Sequence, residues 1–141
     1  MSQEPTTPDL VELTRGLWDA GQRRDFDAVL RWYAPDAVWD MSPLGGLGIF
    51  EGHVAILGFW QDWFASYAEL EIEPEEILDL GNGVILTVVI QKARPVGSDG
   101  QVRLRYAVVG LWEEGLIVRL TNYTDIDEAR AAAERLAEER E

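Results

Sequence analysis

The sequence predicts an α+β domain: a strongly curved antiparallel or mixed β-sheet wrapped on N-terminal helices into a cone, with one more helix at the C-terminus. Three observations carry that expectation. Apolar residues recur at helical spacing through the first third of the chain. From about residue 69 the period falls to two, with Gly-Asn-Gly at 81–83 as a hairpin signal. The chain then closes on an alanine-rich, charged stretch, residues 126–141.

Taken in order, Asp9 behind Pro8 is a plausible N-cap for a first helix carrying Leu10, Leu13, Leu17 and Gly21 on one face. Residues 1–7 before it read as disordered. Phe26, Val29, Leu30 and Tyr33 repeat the helical spacing, and Pro35 is expected to stop that second helix. "AVWDM" reads as a short strand. "GHVAILGFWQDWFASY" reads as a third helix with Ile56, Trp60, Trp63, Phe64 and Tyr67 on a wide apolar face. "ELEIEPEEILDL", "VILTVVIQKA", "VRLRYAVVGLW" and "LIVRLTNYTD" follow as strands of a meander, and Asp125 with Glu128 has capping-box spacing ahead of a last helix with a frayed end. With no repeat, linker or composition shift, residues 1–141 are expected to form one domain with its helices packed on one side of the sheet. The strand around Leu86, Val88 and Ile90 is apolar on both faces, so a second copy of the chain is expected to cover the outer face as a homodimer.

Composition excludes several functions. The chain has 26 acidic and 12 basic residues and a formal charge of -14, which disfavours nucleic acid and anionic membranes as partners. There is no cysteine, so thiol chemistry and thiolate metal sites are out. The single histidine, His53, has no partner set for a metal, and neither metal nor cofactor is expected. The N-terminus lacks a basic region leading into an apolar run, which points to the cytoplasm. Six tryptophans are many for 141 residues and suit an apolar pocket or a dense core.

"WYAPDAVWDMSP", "FEGHVAILGFWQDWF" and "VGLWEEGLIVRLTNYTDIDEARAAA", in that order, resemble the SnoaL-like branch of the nuclear transport factor 2-like superfamily over residues 8–137. The resemblance implies a cystatin-like α+β barrel, often dimeric, with a pocket used by polyketide cyclases, ketosteroid isomerases, epoxide hydrolases and dehydratases. It also implies a general base at Asp40, the position at the end of the first strand where ketosteroid isomerases carry an aspartate. The isomerase oxyanion donors are replaced: Thr14, Leu17 or Trp18 stand in helix one and Gly110 in the penultimate strand. The epoxide-hydrolase triad falls on Thr87, Val89 and Asn122, and the cyclase aspartate on Gly110 or Asn122.

Two readings follow. In the first, Asp40 removes a proton from a small apolar carbonyl compound, with Asn122 and His53 as further candidate catalytic groups and Trp18, Tyr33, Trp39, Trp60, Tyr106 and Trp112 lining the pocket. In the second, the same fold is a non-catalytic module that binds a small apolar molecule or dimerises, and Asp40 makes an Asx turn ahead of Pro43. His53 then has a structural role. If Val118, Leu120 and Asn122 face the cone, Asn122 is a polar group of the pocket while Arg119 faces away.

Overall fold

The computed structural model describes residues 9–44 and 48–140, so the disorder expected of residues 1–7 lies outside the described residues, as do Gly45 and Gly46. The elements are α1 (Leu10–Gln22), α2 (Phe26–Leu30), β1 (Tyr33–Asp40), β2 (Ile49–Glu51), α3 (Gly52–Ala65), β3 (Tyr67–Gly81), β4 (Val84–Pro95), β5 (Val102–Glu113), β6 (Leu116–Tyr123) and α4 (Ile126–Glu139). One mixed sheet runs in the order β2-β1-β6-β5-β4-β3. Its pairs are antiparallel except β1 with β6, which are parallel.

Caps and turns sit where side-chain chemistry dictates. The Asp9 carboxylate accepts from the Val11 and Glu12 amides at the start of α1, and Asp125 accepts from the Glu128 amide at the start of α4. Helix α2 is shorter than the sequence spacing implies. It ends at Leu30, and Pro35 lies inside β1 instead of terminating a helix. The proline and Asp36 are exposed at an irregularity where β1 leaves the register of β6 between Tyr33 and Val38, so the missing N–H breaks no ladder bond that the strand needs. Further register shifts along β3/β4 and between Leu111 and Trp112 of β5 bend the sheet.

The sheet has helices on both faces, not on one. Ile85 and Val89 of β4, Val108 and Trp112 of β5 and Leu120 of β6 pack with Val29, Leu30, Ile56 and Trp60 of the N-terminal helices. The alternate residues Val84, Leu86, Ala107, Val109 and Leu111 pack against Ala129, Ala133 and Ala137 of α4. The second subunit is expected on the ground of an apolar outer face; α4 covers that part of the sheet from within the chain. Its alanine stripe lets the helix backbone approach closely. Asn82 in the β3–β4 turn donates from Nδ2 to the Ala137 carbonyl at 2.7 Å, fastening the last turn of the helix to the sheet.

Gly83 in that hairpin is required by geometry. It has φ +84°, and a Cβ there would lie 2.2 Å from the Trp112 carbonyl oxygen. The contact is with backbone whose amide already bonds Gly83 O at 2.8 Å, so no side chain can move aside. Gly83→Ala is therefore expected to lower unfolding free energy by about 2–4 kcal/mol, combining the left-handed penalty with overpacking, as read by urea denaturation.

Candidate functional site

Between the concave face of the sheet and α1–α3 lies a cavity of about 200 Å³, below the roughly 300–1,000 Å³ of pockets for drug-sized ligands. Helix α1 contributes Thr14, Leu17, Trp18 and Gly21, which fall at helical spacing on its inner stripe. Phe59, Trp60 and Trp63 of α3 form the facing wall, and the strands supply Tyr33, Trp39, Thr87, Tyr106, Val108, Gly110, Trp112 and Asn122. All six residues expected from the sequence to line a pocket (Trp18, Tyr33, Trp39, Trp60, Tyr106, Trp112) surround this space.

Several of the aromatic rings are set at steep angles to one another. Trp60 meets Tyr33 edge-on at 5.5 Å and 89°, and Trp39 at 5.6 Å and 81°. Edge-to-face packing satisfies the ring quadrupoles, and rigid rings locked this way do not collapse into the remaining space. Burial pushes the Tyr33 phenol well above its ordinary pKa, and burial with the nearby Tyr67 does the same to Tyr106, so both hydroxyls stay protonated and neutral.

Few polar groups in and around the cavity are buried. Asn122 is 4 % exposed, and its Oδ1 accepts from Trp39 Nε1 at 2.9 Å. Gln91, 0 % exposed, lies behind the wall; its Oε1 is 3.4 Å from both Trp63 Nε1 and Tyr106 OH. The Gln91 Nε2 amide and the Thr14 hydroxyl are buried without a hydrogen-bond partner. In the sequence Thr14 stands out only by its place at a replaced isomerase donor, and Gln91 does not stand out. A signal existed: each is a polar residue on a mostly apolar inner face, Thr14 in the series Leu10, Leu17, Gly21 and Gln91 in the series Ile85, Thr87, Val89, where Thr87 is polar as well.

Asp40 lies elsewhere. Trp39 faces the cavity, and the next residue of a strand must face the opposite side, so Asp40 belongs to the outer face. There Oδ1 accepts from the Ser42 amide at 2.8 Å, an Asx turn, and Oδ2 is 2.6 Å from Arg119 Nη2. Burial works to raise the Asp40 pKa, but the hydrogen bonds from Ser42 and the Arg119 charge outweigh it and hold the carboxyl below its ordinary value. A general base needs the reverse shift. Asp40 and Arg119 border a shallow depression of about 400 Å³ that also touches Tyr123 and the Arg135 and Glu139 edge of α4.

His53 is half-buried at the start of α3, outside the cavity lining, and its Nε2 is 3.0 Å from the Tyr33 carbonyl. Since a carbonyl only accepts, Nε2 carries the proton and the ring ties α3 to β1. Asn122 faces inward beside Leu120, as alternation implies. The register shift at Trp112 changes its neighbours: Ile117, not Val118, lines the cavity. Among the described lining residues there is no carboxylate and no imidazole, and the one cation, Arg105, is exposed and bound to Glu75 at 2.7 Å.

Comparison with known proteins agrees with this fold. Residues 14–120 match the SnoaL-like domain family. An NTF2-like protein of unknown function from Burkholderia pseudomallei superposes with a TM-score of 0.73 at 25% identity, over 86% of this chain and 95% of that one. TerC, co-crystallised with polyporic acid, gives 0.71 at 16% identity over 91% and 99%. A protein of ketosteroid isomerase-like fold from Catenulispora acidiphila, in complex with trimethylamine, gives 0.68 at 14% identity over 84% and 86%. No curated protein matches the chain.

The Asp40 arrangement has a pH signature. A carboxyl whose pKa is lowered by folding adds stability above its unfolded value of about 3.9 and loses it as pH falls through the folded value. Asp40→Asn is therefore expected to cost about 1 kcal/mol at pH 7 in urea melts, with the difference shrinking below about pH 4.

Proposed function

Because the chain belongs to the SnoaL-like domain family, we propose that it uses the family's internal pocket to bind one small, mostly apolar, uncharged molecule without acid-base catalysis. The observation that carries this reading is the chemistry of the wall. Proton abstraction next to a carbonyl needs a group that titrates near neutrality within hydrogen-bond reach of the ligand. The described lining residues offer two neutral phenols, amides and hydroxyls instead. Burial of a ligand against Trp18, Trp39, Trp60 and Trp112 supplies affinity through apolar contact, at about 25 cal/mol per Å² removed from water before the costs of association.

The wall also argues for a compact ligand. A cavity of about 200 Å³ framed by rigid rings admits a one- or two-ring molecule and leaves no room for a tetracyclic skeleton without rearrangement of Phe26, Phe59 or Trp63.

Titration with tetralin or 1-tetralone, followed by amide chemical shifts, tests the reading. Either compound is expected to move resonances of Val108, Gly110 and Trp60 and to raise the melting temperature. Val108→Phe, which fills the inner face at a residue 2 % exposed, is expected to abolish the shifts while the circular dichroism stays native. Asp40→Asn is expected to leave binding unchanged. Shifts confined to the Asp40–Arg119 depression would move the site to the outer face.

A further inference from the structure

We propose that Thr14 and Asn122 select the ligand by its polarity, accepting an uncharged molecule that carries a hydrogen-bond-accepting oxygen over both the corresponding hydrocarbon and the corresponding carboxylate. The proposal rests on the binding reading above and adds to it which polar feature the ligand must bear.

The Thr14 hydroxyl is the first observation. A threonine inside a helix ordinarily bonds back to the carbonyl one turn earlier. In α1 that bond is not made: Oγ1 is buried and has no partner, and Thr14 is one of the residues around the cavity. A buried hydroxyl left unpaired costs about 1–3 kcal/mol, a cost that a ligand oxygen in the cavity would remove.

The second observation is the orientation of the Asn122 carboxamide. Trp39 Nε1 can only donate, so the atom 2.9 Å away is Oδ1, and the amide cannot be flipped. Its Nδ2 is thereby fixed as a donor, in a residue that is 4 % exposed and borders the same cavity from β6. Thr14 on the helix wall and Asn122 on the sheet wall thus both offer hydrogens, while Oδ1, the acceptor of the amide, is occupied. The complement is an acceptor: a ketone, ether or hydroxyl oxygen.

Charge sets the other limit. Among the described lining residues nothing positive faces the interior, since Arg105 is exposed and held by Glu75. An anion entering would lose its hydration with no opposite charge to replace it, and it would approach a chain of formal charge -14.

Calorimetric titration of the full chain with 1-tetralone, tetralin and 1-naphthoate separates the possibilities. The expected order is tetralone tighter than tetralin by about three- to tenfold, the worth of one neutral hydrogen bond, with no binding of naphthoate. Thr14→Val keeps the shape of the side chain and is expected to reduce the preference severalfold while tetralin affinity holds. Asn122→Leu should do the same, and if it fails to fold, Thr14→Val still decides. Tetralin binding as tightly as tetralone, a preference undiminished in Thr14→Val, or tight binding of naphthoate would overturn the proposal and leave the apolar binding reading standing. Failure of all three probes to bind would overturn both.

Discussion

Strand alternation acting on a sheet that is covered on both sides organises this protein. Along β4, Ile85 and Val89 face α1–α3, while Val84 and Leu86 face α4. A slip of one residue would exchange the two sets and put the alanine-packed surface into the cavity. The same rule separates Trp39 from Asp40, and Asn122 from Thr121 and Tyr123. Every chemical property assigned to the cavity follows from which half of each strand reaches it.

The two faces are finished differently. On the outer face, small residues at Ala129, Ala133 and Ala137 let α4 lie close against aliphatic side chains, with the Asp40–Arg119 depression beside the helix. On the inner face, large rings meet edge-on and tilted, and the helices are held off by Trp18, Trp60 and Trp63. Flat, rigid groups at steep mutual angles cannot repack to fill a gap as aliphatic chains do, so aromatic walls keep a cavity open that a leucine core would close. The tryptophans thus belong to the core and line the pocket at the same time.

Electrostatics follows the division too. The ionised pair Asp40–Arg119 sits on the outer face, where half-exposed Arg119 keeps contact with water. The inner face holds neutral polar groups, with the phenols of Tyr33 and Tyr106 kept protonated by burial. Placing charge outside and uncharged hydrogen-bonding groups inside suits recognition of an uncharged molecule better than proton transfer.

Much of this was legible in the chain. Helical spacing, the Gly-Asn-Gly turn, the aspartate caps and the period-two strands specified the α+β architecture, because these are local properties of residues near one another. Alternation within "VWD" also carried a warning that Trp39 and Asp40 could not share one pocket, since adjacent strand residues point apart. Tertiary structure alone decided the rest. It put α4 on the outer face, carried Pro35 into a strand at an irregular edge, shifted β6 so that Ile117 turned inward, and left the Thr14 hydroxyl and the Gln91 Nε2 amide without partners. Each of these depends on contacts between residues far apart in sequence, where the packing of whole elements overrides the preference of any short stretch.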